Sequence, residues 1–347
     1  MNAPFPSTAE SSGSTSTHGY SMEKMILEVE KRMTELSLGV QLDLTATMAL
    51  QQISSGGKRV RARLALHACR AFGLPPSDAV AWASAIELLH NATLIHDDIQ
   101  DGDTHRRGKP TIWAQHGEAQ AINAGDFMLM LPFLALQDLS RSDIGAVSPL
   151  LALYATRIVR GQVDELSLKA TSNLSMRDYL AACEGKTGML LALPIVGAAV
   201  LAGYSSGDSE RFGTPFVQLG TLFQLQDDLI DLFGDKGRET PGCDIYEGKV
   251  SALLISHLDE SPQDTKEILS ILEKPREATT PSDVQRVRSL YVRSGSPQKV
   301  IQQIQNIQQE VFSSPLLQKE KELHQVAKQL EKMAIAPIAH LFAGEFS

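Results

Sequence analysis

The sequence predicts an all-α protein, a single-domain bundle of long helices, and three observations carry that expectation. Apolar residues recur at three- and four-residue spacing from about Met22 onward, alternating β-branched runs are scarce, and no shift in composition splits the 347 residues. With 43% apolar residues the chain can bury a large core, and 25 Gly with 16 Pro are too few for a fibrous or largely disordered protein.

Residues 1–21 are rich in Ser, Thr, Gly and Pro, and lack the basic start and apolar run of a signal peptide. They read as a disordered tail before one domain over 22–347. Met25, Ile26, Val29 and Met33 form the first apolar stripe, and segments 78–101, 117–138, 146–169, 176–203 and 208–233 are each long enough for several helical turns. Breaks are expected at 73–78, 106–111, 205–208, 234–242 and 260–264, where Gly, Pro, Ser and Asp cluster. Beyond residue 255 the helices read as shorter and more charged, an outer layer on a central bundle. Thr187 to Gly207 holds no charge and passes a length test for a membrane span. Pro194 and three glycines interrupt it, so a helix buried inside the bundle is expected and no integral membrane segment.

The net charge of -9 argues against nucleic acid and against anionic membranes, which both call for a basic surface. Three isolated cysteines, Cys69, Cys183 and Cys243, form no disulfide framework and fit a reducing cytoplasm.

One motif occurs twice: Asp97, Asp98 and Asp101 in ATLIHDDIQD, and Asp227, Asp228 and Asp231 in LFQLQDDLID. On a helix, positions i and i+4 lie about 40° apart and i+1 sits on the adjoining flank, so each DDxxD presents carboxylates to one side. Such a cluster near a bundle interior is costly without a compensating cation. Oxygen ligands with no cysteine nearby favour Mg2+, which shares its shell with substrate phosphates. A single DDxxD is as well explained by a solvated acidic patch; two copies with the same apolar lead-in are not. His96 reads as a packing group beside the motif, not a ligand. Cations flank the motifs: Lys58, Arg59 and Arg61 after the diglycine Gly56-Gly57, Arg106 and Arg107 after the first motif, Lys186 between Gly185 and Gly188, and Lys249 after Asp244. Arginine forks suit phosphate oxygens. The Gly185–Gly188 segment can break its helix locally, and Arg59 reads as a surface cation.

In this order GGKRVR, LIHDDIQDGDTHRRGKPT, AINAGD, GKTG, FQLQDDLID and GCDIYEGK resemble the trans-type polyprenyl diphosphate synthases, the family of farnesyl and geranylgeranyl diphosphate synthases. The resemblance runs from about residue 25 to the end. It implies the isoprenoid synthase fold, with long helices around a deep central cavity, usually as a homodimer. It implies head-to-tail condensation of isopentenyl diphosphate with an allylic diphosphate using Mg2+, three ions per active site. Carried over by position, Asp97, Asp98, Asp101, Asp227 and Asp228 hold the metals, and Asp231 acts directly or through water. Arg106, Lys186 and Lys249 contact the allylic diphosphate; Lys58, Arg61, His90 and Arg107 form the isopentenyl diphosphate site; Thr187 and Gln224 stand near the reacting carbons. The sequence departs from the family pattern at Ala62, at Glu239 where a lysine is common, with Lys236 or Arg238 as substitutes, and at SALL over 251–254.

The prenyl tail is expected to run down the first aspartate helix past Thr93, Ala92 and Leu89, with Met128 and Leu129 on the opposite wall. Ala92 and Thr93 stand five and four residues before Asp97, with Leu89 a turn deeper, so the floor expected of a strict farnesyl producer is missing and products of twenty carbons or more are expected, geranylgeranyl diphosphate first, with farnesyl or longer products as alternatives. A class I terpene cyclase also uses DDxxD, but its second metal motif carries a hydroxyl where Asp231 stands. A non-catalytic subunit of a heteromeric synthase could dispense with one aspartate motif, and this chain retains both.

Overall fold

The computed structural model describes residues 21–39, 41–169, 174–234, 241–344 and 346. Residues 1–20 of the tail read over 1–21 and the substitutions weighed at Lys236, Arg238 and Glu239 lie outside the described residues, while Ser21 caps α1 by accepting from the Lys24 N–H. Helices dominate, in the order α1 (Met22–Leu38), α2 (Leu44–Ser54), α3 (Val60–Ala71) and α4 (Pro76–Gln100). After a short hairpin come α5 (Ile112–His116), α6 (Glu118–Ala135), α7 (Arg141–Leu168), α8 (Met176–Cys183), α9 (Met189–Leu201) and α10 (Ser206–Phe233). The remainder is α11 (Cys243–Tyr246), α12 (Ala252–Glu260), α13 (Thr265–Leu272), α14 (Pro281–Ser294), α15 (Ser296–Ser313), α16 (Pro315–Lys319) and α17 (Lys321–Ile335).

Local chemistry starts three of these helices in the same way. Ser140, Ser175 and Ser205 each accept a hydrogen bond from the backbone N–H of an aspartate three residues on, and donate to its carboxylate at 2.6–2.7 Å. This S-x-x-D cap satisfies an orphan N–H and sets a negative charge at the positive end of the helix.

Apolar stripes then pack the long helices. α4 lies against α1, α3, α6 and α9, and α9 is enclosed by α3, α4, α7 and α10. Leu190 through Ala199 are buried without exception, so the uncharged run is an interior helix, as the interruptions in it predict. Two stretches, Glu118–Asp138 and Met176–Leu201, are long and apolar enough to cross a membrane by length and composition. The second lies mostly inside the bundle. Trp82 of α4 is fully buried; its indole N–H donates to the Pro194 carbonyl at 3.0 Å, and its ring fills the space a side chain at Gly197 would take.

The expected outer layer is present, α15 and α17 packing on α10 and α17 also on α3. Its helices are not uniformly short, because α15 has 18 residues, as many as α6. The expected break at 106–111 holds the one strand pair among the described residues. His105–Arg106 (β1) pairs with Lys109–Pro110 (β2) around Arg107 and Gly108, both at positive φ. Two residues per strand are too few to show alternation, while two left-handed turn residues are the signature of a tight hairpin.

Candidate active site

α4 and α10 bring their aspartates to one end of the bundle, and every aspartate of the first motif meets a cation there. The Arg106 guanidinium, presented by the hairpin, donates from Nε to Asp98 Oδ1 at 2.7 Å and places its other nitrogen 2.6 Å from the same oxygen. Asp97 faces Lys186 at 3.8 Å, and Asp101 faces Lys249 at 3.0 Å. Asp98 is 1% exposed, and burial, opposed by the Arg106 hydrogen bond, pushes its carboxyl up to about 6. Burial raises Asp97 as well, with Lys186 working against it. Two carboxylic acids held above their ordinary range lack positive charge in proportion to their burial.

The second motif is tied in from several directions. Asp228 accepts hydrogen bonds from the Tyr179 hydroxyl at 2.6 Å and the Ala252 N–H at 2.7 Å, and Gln224 Nε2 reaches it at 3.4 Å. Asp231 accepts from the Asp244 N–H at 3.1 Å, and its carbonyl from the Gly242 N–H at 2.8 Å, so this aspartate pins the segment that leads to Lys249. The Thr187 hydroxyl donates to Gln224 Oε1 at 3.4 Å. The motifs, more than a third of the chain apart, are thereby joined along two routes: Lys186, Thr187 and Gln224 on one side, and 242–252 on the other.

Lys186 and Thr187 lie on a wide turn. Glu184–Gly188 is π-helical between α8 and α9, so the helix is not broken at Gly185 and Gly188 as expected but widened, its hydrogen bonds reaching one residue further. The approach of α7 requires this shape. A side chain at Gly161 would overlap the Lys186 amide and Gly185, so glycine at 161 lets α7 backbone rest directly on the turn carrying the lysine. Gly161→Ala is expected to displace that turn and to lower both the melting temperature and turnover. A normal melt with normal turnover would show that the contact is not needed.

α3 and α4 bring Arg61 and His90 together. Arg61 Nη1 meets His90 Nε2 at 3.0 Å, which makes Nε2 the acceptor and places the ring proton on Nδ1. Burial, and then the positive charge of Arg61, Arg106 and Arg107, holds His90 well below its ordinary value, so the ring is neutral. Burial brings Arg61 down to about 10, still charged at neutral pH. His90 Nδ1 and Arg61 Nε are both buried with no hydrogen-bond partner among the described residues. Two unanswered N–H donors on adjacent side chains call for an anion.

The loop beside them corrects the reading of Arg59. This residue is 7% exposed, adopts φ 49°, pairs with Glu30 at 3.0 Å and Glu87 at 3.7 Å, and donates to the Ile53 carbonyl at 2.7 Å. Lys109 donates to the Ser54 carbonyl at 2.8 Å, and Arg107 to the Gly56 carbonyl. Three cations therefore hold the carbonyls of the diglycine loop. Lys58, grouped with Arg61, His90 and Arg107 by sequence, is exposed and lines a cavity of about 350 Å3 between α3 and α17 with His67, Leu330 and Met333; none of its hydrogen bonds or ion pairs among the described residues reaches the other three.

Among the residues expected along the prenyl tail, Ala92, Leu89 and Met128 are buried, and α6 packs along α4. Thr93 turns its hydroxyl onto the His90 carbonyl at 2.8 Å. His96 pairs with Asp126 at 3.3 Å and stays out of the carboxylate cluster.

The donor set fits a hard divalent ion. Asp98 Oδ2 is a buried carboxylate oxygen with no hydrogen-bond partner among the described residues. Among the described residues no three acidic, histidine or cysteine side chains are grouped so that they could hold an ion by themselves.

Sequence reading missed Glu165, Glu247, Tyr179 and Arg276. Tyr179 had a usable signal, seven residues before Lys186 on the same helical face. Glu165, 2.6 Å from Lys186, had none.

The polyprenyl synthetase family model matches residues 43–291. A (2E,6E)-farnesyl diphosphate synthase of Mycobacterium tuberculosis is 35% identical over 178 residues, 51% of this chain and 50% of that one, so the chain spans about half the length of that relative. A geranylgeranyl diphosphate synthase of the same organism is 33% identical over 248 residues, 70% of this chain and 69% of the other. A crystal structure of a polyprenyl synthase from Caulobacter crescentus, complexed with calcium and isoprenyl diphosphate, is 27% identical, with TM-score 0.75 over 90% of this chain and 94% of that chain.

Proposed function

The chain belongs to the polyprenyl synthetase family, and from that premise we propose that it condenses isopentenyl diphosphate head-to-tail with an allylic diphosphate, giving a trans-polyprenyl diphosphate. What supports this reading is the cation-lined carboxylate cluster of the first motif and, apart from it, the N–H donors of Arg61 and His90 that meet no partner among the described residues, which together suit two diphosphates. A terpene cyclase handles one diphosphate and has no use for the second site.

Mg2+, three ions per active site, would be held by Asp97, Asp98, Asp101, Asp227 and Asp228, with Asp231 directly or through water, and supplies charge that stabilises a departing diphosphate. Arg106, Lys186 and Lys249 bind that diphosphate from the protein side. Arg61, His90 and Arg107 hold the second substrate's diphosphate, and Lys58, which faces α17 here, would have to swing across to join them. Thr187 and Gln224 aim their dipoles toward the carbon from which the C–O bond breaks, and the buried apolar walls exclude water from the allylic cation left there. The double bond of isopentenyl diphosphate then forms the new C–C bond, and the proton it releases goes to the departed diphosphate. Turnover by the purified chain with dimethylallyl or farnesyl diphosphate tests the reading. Product formation without isopentenyl diphosphate would point to a cyclase, and no turnover by the chain alone to a subunit of a larger enzyme.

The product is geranylgeranyl diphosphate, a reading supported by the small side chain of Ala92 where a bulky one would block the tail. Ala92→Phe is expected to shift the main product to fifteen carbons or fewer, read by chromatography of the dephosphorylated prenols. Unchanged length would place the tail elsewhere.

The chain works as a homodimer in the cytoplasm. Exposed apolar side chains on α6 (Ile122, Met130, Phe133, Leu134) and α7 (Val159, Val163) supply a face for the partner copy, and the three cysteines are buried and joined in no disulfide among the described residues. A monomeric mass in solution would exclude the dimer.

A further inference from the structure

Glu165 on α7 and Glu247 after α11 belong to neither aspartate motif, yet each shares a lysine with an aspartate of the first. Lys186 Nζ lies 2.6 Å from Glu165 and 3.8 Å from Asp97. Lys249 Nζ lies 2.9 Å from Glu247 and 3.0 Å from Asp101. The same three-body arrangement, motif carboxylate, lysine and outer carboxylate, is thus built twice from unrelated elements.

A lysine paired with its aspartate alone would settle onto the carboxylate oxygens that a divalent ion needs, and would cancel their charge. The outer glutamate competes for the ammonium. At Lys186 it holds the tighter contact by more than an ångström, leaving Asp97 loosely engaged. Glu247 is itself anchored: its side chain is 5% exposed and lies 3.5 Å from Arg276, which also donates to the Asp101 carbonyl at 3.2 Å. With the glutamate fixed, the lysine is the mobile member, free to turn from aspartate to an arriving phosphate without losing its second partner.

We propose that Glu165 and Glu247 are positioning residues that compete with Asp97 and Asp101 for Lys186 and Lys249, holding Lys186 off Asp97 and sharing Lys249 evenly with Asp101, so that part of the first motif's charge is left for metal while both lysines stay poised for diphosphate. This rests on the prenyl-transfer reading, in which those aspartates hold Mg2+ and those lysines meet diphosphate.

The test is Mn2+ affinity of the full chain in the presence of inorganic pyrophosphate, read by electron paramagnetic resonance. Glu165→Gln and Glu247→Gln are each expected to weaken Mn2+ binding about tenfold. In a Lys186→Met background, Glu165→Gln is expected to change affinity less than about twofold, since the glutamate acts only through the lysine. The same comparison with Lys249→Met applies to Glu247. Unchanged affinity in both single variants, or an equal loss with and without the lysine, would overturn the proposal. So would failure of both glutamine variants to show a cooperative melt, which would make the glutamates structural. If the unsubstituted chain binds no Mn2+ with pyrophosphate, the functional reading fails together with this one; if it binds and the variants match it, this inference alone fails.

Discussion

Asp98→Asn is expected to lower kcat on the order of 1000-fold while the protein still folds. The substitution keeps the size of the side chain and an acceptor for Arg106, which now meets Asp98 Oδ1 at 2.7 Å. It removes one unit of charge from the oxygen pair whose second member is buried with no hydrogen-bond partner among the described residues. Stability should move the other way. Burial raises the folded-state value of Asp98 to about 6, above its ordinary 3.8, so between those values the folded chain binds more protons than the unfolded one. Stability from this group is therefore present at low pH and lost as pH rises through about 6. In metal-free buffer, Asp98→Asn should melt no lower than the parent at pH 7 and should flatten the decline in melting temperature between pH 4 and 6. Steady-state kinetics at saturating Mg2+ decide the first claim, and kcat within tenfold of the parent would remove Asp98 from the metal site.

Arg59→Ala is expected to destabilise the fold by roughly 3–5 kcal/mol, the usual effect of stripping the partner from a buried charge. Glu87 is 3% exposed and would keep only the Ala62 N–H, 3.1 Å away, as a donor. The Ile53 carbonyl would lose its 2.7 Å donor, and the diglycine loop one of its three cations. A fall in melting temperature of about 4–7 °C follows for a chain of this size. Arg59→Gly separates the contributions: glycine relieves the left-handed backbone at φ 49° but restores no charge, so it should recover only about 1–2 kcal/mol. An Arg59→Ala variant melting within about 2 °C of the parent would mean that Glu87 finds another partner.

Arg59 also shows where sequence reading stops. Its neighbours Lys58 and Arg61 have the same charge and flank the same turn, yet Lys58 is exposed, Arg61 is joined to His90, and Arg59 is buried between Glu30 and Glu87. Nothing in GGKRVR ranks the three. The first aspartate helix, by contrast, was legible nearly to its ends: a pattern expected over 78–101 is a helix at Pro76–Gln100. The S-x-x-D start at Ser140 went unread: the pattern expected from 146 is a helix from Arg141.

The chain by itself determined its helices and the chemistry of its two DDxxD motifs, because the signals are local: apolar period, caps and i, i+4 carboxylates all act within a few residues. Tertiary structure alone decided which cation answers which aspartate. Lys249 reaches Asp101 across 148 residues and Arg276 reaches the Asp101 carbonyl across 175, separations at which no periodicity survives. Those pairings exist because α4, α10 and the 242–252 segment are packed to one end of the bundle. There, buried carboxylates must find positive charge wherever the packing brings it.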